Sequence, residues 1–187
     1  MLFDYLVIGQ ILPVNPAASV RAPRYSVSKG KTPVLMPEDA RALLNSLPTD
    51  NLIGLRDRAL IGLMVYSFAR VSAALNMRVS DYYQNGRRSW LRLHEKGGKF
   101  HEVPAHHNAE AYIDAYLDAA GIREDKASPL FRAVKGRTGK LQPHGLTRVN
   151  AWQMVNRRAT DAGLSSKINC HTSVSYTHLT LPTNREV

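Results

Sequence analysis

Cysteine is nearly absent. Cys170 stands alone, so the chain can form neither an internal disulfide nor a thiolate metal cluster, and a reducing cytoplasm suits it. No apolar run reaches the roughly 18 to 20 residues of a membrane-spanning helix, and the opening stretch carries Asp4 where a secretory leader would be basic. No membrane partner is therefore expected. A Gly-rich nucleotide loop is missing too, because the helix that should follow a phosphate-cradling loop does not follow Lys96-Gly97-Gly98-Lys99. Metal ligands are sparse. His106 and His107 are adjacent and point different ways, and a helix-cap setting suits them better. Asp114 and Asp118 read as solvated charges on one helix face, without the further carboxylates of a two-metal site. Neither a metal nor a cofactor is expected.

One absence is local. Between Leu130 and Val149 there is no acidic residue, yet Arg132, Lys135, Arg137, Lys140 and Arg148 all fall there. The chain of 187 residues has a formal charge of +10, which attracts polyanions and makes nucleic acid the leading partner class. This acid-free stretch reads as a basic loop that either tracks phosphates or is simply solvated. A hydrophobic content of 44% is enough for the core of one domain, or of one domain with a fragment of another.

Taken in order, Leu2 to Ile11 reads as the end of a helix with an apolar stripe of Leu2, Phe3, Leu6 and Val7. Pro13, Pro16 and Pro23, interleaved with Arg21, Arg24, Lys29 and Lys31, make a basic extended connector able to lie along a phosphate backbone. Pro37, Glu38 and Asp39 mark a helix start, with Ala40, Leu43, Leu44 and Leu47 inward and Pro48 as its end. A second helix, from about Leu52 to Ser67, is apolar nearly all round after Arg58, as a central core helix should be. A short helical piece follows through Ala73, Ala74 and Leu75.

From Val79 the period changes to two. Asn85-Gly86 signals a hairpin between strands near Val79 to Tyr83 and Ser89 to His94, and Lys96 to Lys99 turns into Phe100 to Val103. Pro104 closes this antiparallel meander. Asn108 is placed to cap an amphipathic helix carrying Ala109, Tyr112, Ile113, Tyr116, Leu117 and Ala120, stopped by Gly121. Pro129-Leu130-Phe131 forms a buried anchor. Thr147 to Ala162 is helical, with Val149, Trp152, Val155 and Ala159 expected inward and Gly163 at its end. Trp90 and Trp152 read as core or half-core residues. The fold class expected is mainly α with a small three-stranded antiparallel β-sheet.

Two cations carry the chemistry. Arg70 falls where two helices meet, beside freed backbone N–H groups, and a guanidinium fork can bind two phosphate oxygens at once. Lys96 sits on a hairpin turn, from which an ammonium can approach a third oxygen as charge or proton donor.

The ordered set of core helix, Ala69-Arg70-Val71-Ser72, Val79-Ser80-Asp81, Glu95-Lys96-Gly97-Gly98-Lys99 and Val103-Pro104 resembles the first half of a tyrosine recombinase, or phage integrase, catalytic domain. The resemblance covers roughly Pro33 to Thr172. It implies that Arg70 is the first catalytic arginine, that Lys96 is the general acid for the leaving 5′ hydroxyl, and that His171 opens the family's H-x-x-R box. It further implies strand exchange on double-stranded DNA through a 3′-phosphotyrosyl intermediate, with self-association on DNA and no metal. Arg21, Arg24, Lys99, Arg132, Lys135, Arg137, Lys140 and Arg148 are the expected DNA contacts.

Three departures stand out. Ala73 occupies a position where the family often has an acid, Val174 stands where the box arginine is due, and Tyr176 lies too close to His171 to be the nucleophile. The chain is accordingly read in four parts. Residues 1–12 are the end of a core-binding-domain helix, 13–32 a linker, and 33–172 a partial catalytic domain. Residues 173–187 are a non-matching tail, similar to adapter-derived read-through. A chain of this kind is expected to be inactive alone, with no nucleophile of its own. The rival readings are a non-catalytic basic DNA-binding module and an RNA-binding or ribosome-associated protein, the latter disfavoured by the lack of surface-aromatic strand patterning.

Overall fold

The computed structural model describes residues 2–18, 20, 35–94, 98–136 and 138–164. The chain divides into two compact units, Met1–Lys31 and Thr32–Val187. In the first unit α1 (Leu2–Ile8) is shorter than expected and buries no residue. It ends at Gly9-Gln10, where Gln10 takes a positive φ and the Ile11 N–H donates back to the Leu6 carbonyl.

The second unit is mainly helical. α2 (Pro37–Ser46) begins with proline at its first turn, where the missing N–H has no carbonyl to bond. α3 (Leu52–Ser67) starts where the Asn51 side chain accepts from the Gly54 N–H at 2.8 Å. Leu60 and Leu63 of this helix are 0% exposed, each worth about 1.5–3 kcal/mol of transfer free energy. Against α3 packs α5 (His107–Ala120), which buries Ala109, Ile113, Tyr116 and Leu117. Gly62 allows this close approach, since a Cβ there would lie 2.6 Å from Cδ2 of Tyr112. The cap of α5 is the His106 side chain, which accepts from the Asn108 N–H at 3.2 Å, whereas the Asn108 side chain reaches back to the Tyr66 hydroxyl. Capping was expected from Asn108; the imidazole one place outside the first turn does it instead.

α4 (Val71–Leu75) follows α3 after a three-residue break, Phe68 to Arg70. The next segment was expected to be a strand from Val79, but Val79–Asp81 forms a 3-10 turn. The Val79 and Ser80 N–H groups are taken by the carbonyls of Ser128 and Lys126, and the Asp81 carboxylate folds back to accept from the Arg78 N–H at 2.8 Å. β1 (Tyr82–Asn85), β2 (Arg88–His94) and β3 (Phe100–Pro104) then make the antiparallel meander in sequence order. Asn85 pairs with Arg88, and Gly86 supplies the φ of 64° that the first central position of a tight hairpin turn demands. Ser89, Leu91 and Leu93 face the interior.

A second, two-stranded sheet was not foreseen. β4 (Arg132–Val134) and β5 (Leu141–Gly145) pair antiparallel across the stretch read as a loop. The three-residue length of β4 and Pro143 within β5 hide both strands from pattern reading. α6 (Arg148–Asp161) comes directly after, capped by Thr147, whose side chain accepts from the Asn150 N–H. The helix is rotated from the orientation its spacing suggested. Ala151, Met154, Val155 and Ala159 are buried, while Val149 and Trp152 are 63% and 54% exposed.

Candidate phosphate-binding site

Arg70 stands at the joint between α3 and α4. Phe68 ends α3 in the left-handed region at φ 60° and ψ 17°, a conformation that costs a residue with a Cβ roughly 1–2 kcal/mol. That turn breaks the helix and lets Arg70 adopt extended angles as the N-cap of α4. Val71, Ala73, Ala74 and Leu75 are all buried, so four of the five residues of α4 fix it to the interior while Arg70 stays exposed. Ala73 is 1% exposed and apolar, so no carboxylate is supplied from that position.

His94 and Phe100 form the last paired rung of β2 and β3, with residues 95–99 joining them. Beneath this rung, the His94 Nε2 lies 3.0 Å from Oδ2 of the buried Asp81, and its ring meets Phe100 edge-on at 4.8 Å. Lys99 is exposed. Lys96 and His171, like Arg21, Arg24 and Arg137, lie outside the described residues, as does the tail 173–187.

The remaining cations divide into two kinds. Lys135 and Lys140 flank the β4–β5 turn, where the Lys135 N–H donates to the Lys140 carbonyl at 2.9 Å, and both side chains are exposed. Arg148, the first residue of α6, is exposed as well. Arg132 differs. Its side chain is 14% exposed and pairs with Asp125 at 2.5 Å, while its carbonyl accepts from Arg56.

Sequence reasoning missed the charge cluster that joins α3 to α6. Asp57, 0% exposed, accepts from Arg56 at 2.6 Å and from Arg158 at 2.8 Å, and Arg157 lies 4.0 Å away. A carboxylate on a helix apolar all round was the available signal, since a buried charge demands a partner. Which partner it takes, 101 residues along the chain, is set by tertiary packing. The side chains of Asp114 and Asp118 are solvent-accessible, as read from the sequence, and both also pair with the accessible Arg123 at 2.9 and 2.8 Å. At the α5 cap, His106 stacks on Tyr66 with ring centroids 4.4 Å apart. Burial, with the neighbouring His107 adding to it, holds its pKa below the usual histidine value. No group of three or more metal-ligating side chains occurs among the described residues, and no described helix is long and apolar enough to cross a membrane.

The helical domain with its three-stranded antiparallel meander has the fold of a recombinase catalytic domain. The profile of the phage integrase family matches residues 33–175, and the chain belongs to that family. Among curated relatives, the tyrosine recombinase XerC of Myxococcus xanthus is 31% identical over 151 residues, covering 78% of this chain and 49% of the relative. The tyrosine recombinase XerD of Listeria monocytogenes serotype 4b is 26% identical over 174 residues, covering 91% and 55%. The chain thus spans about half the length of the curated relatives it matches. Among solved structures, the XerA recombinase superposes with a TM-score of 0.61 at 20% identity, over 91% of this chain and 57% of that one. A lambda integrase dimer bound to a COC′ core site gives a TM-score of 0.58 at 18% identity, over 93% and 47%. These two likenesses establish the fold.

Proposed function

We propose that this chain supplies the phosphate-binding half of a tyrosine recombinase active site and grips double-stranded DNA, serving site-specific recombination or integration of a mobile element. The observation that carries the reading is an exposed Arg70 on a buried helix joint within a chain of this family. Its guanidinium donates to the non-bridging oxygens of the scissile phosphate and stabilises the charge that develops there. Attack by a tyrosine oxygen forms the Tyr–O–P bond and breaks P–O5′, and Lys96 hands its proton to the departing 5′ oxygen. His171 assists at the same phosphate. The 5′ hydroxyl of a second strand reverses the step, which conserves the bond energy and completes strand exchange.

Lys99, Lys135, Lys140 and Arg148, joined by Arg21, Arg24 and Arg137, track the backbone. Arg132, already paired with Asp125, contributes least. The exposed first two turns of α6, with Arg148, Val149 and Trp152, form a convex face suited to a groove. The protein is DNA-associated, and recombination proceeds in an assembly of several copies on DNA. We assign the nucleophile to no residue of this chain, so the chain alone binds without cleaving.

Two measurements test this. Affinity for duplex DNA should fall with salt at a slope of about −0.9 per phosphate contacted. Incubation with a nicked suicide substrate should trap no covalent DNA. Covalent adduct would overturn the inactivity, and a salt-insensitive affinity would overturn the DNA reading. The rival of a pure DNA binder is separated by the R70A/K96A double variant in a version extended to the length of the relatives. Recombination lost with affinity largely kept supports the enzyme.

A further inference from the structure

Phe68 is an unusual residue for its place. The position just past a helix end in the left-handed region favours glycine, because a Cβ there meets the following carbonyl. Here it carries the largest apolar ring of the joint, at φ 60°. The ring is not a core residue. Phe68 is 36% exposed and Arg70 is exposed, whereas Ala69 and Val71 between and beyond them are 1% and 7% exposed. Phe68 and Arg70 are therefore both exposed to solvent within one short segment. Backbone strain kept at an incompletely buried ring, two residues from a candidate phosphate ligand, motivates a functional contact for Phe68.

We infer that Phe68 is a DNA-contacting residue whose ring packs on the deoxyribose beside the phosphate held by Arg70. This inference rests on the duplex-DNA reading above. Every phosphate in a duplex is flanked by furanose carbons, an apolar surface next to the anion. A ring two residues from the arginine adds an uncharged contact to a charged one.

The chemistry separates the two contributions. An apolar contact releases no counterions, so its loss lowers affinity without changing the salt slope, whereas loss of a phosphate-binding cation lowers both. The experiment titrates the whole chain against a short labelled duplex at several salt concentrations, for wild type, F68A, F68G, F68Y and R70A. F68A and F68G should each weaken binding by about fivefold or more, the low end for an aromatic contact to a nucleotide. F68Y should stay near wild type, and all three should keep the wild-type slope. R70A should reduce the slope by about one. Thermal unfolding should rank F68G above F68A, since glycine relieves the backbone. Three results would overturn the inference: wild-type affinity in F68A and F68G, a slope reduced as in R70A, or affinity restored in F68G over F68A. If the wild-type chain itself shows no salt-dependent duplex binding, the DNA reading fails first, visibly, and this inference falls with it.

Discussion

α3 and α6 are both helices with more apolar residues than one face needs, and they resolve the surplus in opposite ways. α3 is surrounded, so nearly everything after its first turn is buried, including Arg56 and Asp57. α6 lies at the surface of the packing and must choose. Val155 and Ala159 belong to two candidate stripes, one completed by Val149 and Trp152 and the other by Ala151 and Met154. The structure takes the second and leaves the indole outside. A helix buried all round is legible because rotation does not matter, whereas a one-sided helix with two overlapping stripes is settled only by its neighbours.

The strongest way to break this comparison is at the tie between the two helices. Asp57→Ala leaves Arg56, 3% exposed, and Arg158 without their carboxylate, and should cost about 3–5 kcal/mol in denaturant unfolding. A loss below about 1 kcal/mol would show the cluster to be solvated instead. Next comes the choice of face. Met154→Ala should cost about 2–5 kcal/mol, while Trp152→Ala should stay within about 0.5 kcal/mol and weaken DNA binding. Equal losses would restore the orientation read from spacing.

The smallest effect sharpens the α3 side, where His106 covers Tyr66. Its pKa in the folded chain lies below the unfolded value of 6.5, so the unfolded chain takes up the proton first as pH falls. Stability from this group is complete above 6.5 and declines as pH drops through 6.5 toward the folded value. A protonated Nδ1 also ceases to accept from the Asn108 N–H. His106→Asn keeps a capping acceptor and should flatten part of the fall in Tm between about pH 7.5 and 5.5. An unchanged pH dependence would remove His106 from it.

The elements that sequence reasoning found are those whose cause is local. Pro37 opens α2, Asn85-Gly86 turns the first hairpin, Gly121 ends α5, and the α3 boundaries follow from continuous apolar character bounded by Pro48 and the break at Phe68. The elements it missed depend on distant partners. Val79–Asp81 leaves the extended form because residues 126–128 take its backbone N–H groups, and β4–β5 pairs across a turn whose composition reads only as basic. In the candidate site, the exposed cations Arg70, Lys135, Lys140 and Arg148 were legible as residues with a charge and no acid nearby in sequence. The demotion of Arg132 was not, because Asp125 reaches it through the fold.

The shortness of α4 has a consequence of its own. A cation on a long exposed helix drifts with that helix, but Arg70 begins a helix of five residues, four of them sunk in the interior. Its address is written by the core, so surface substitutions around it leave the charge where it is, whereas repacking beneath Val71 or Leu75 relocates it while the rest of the domain stays folded.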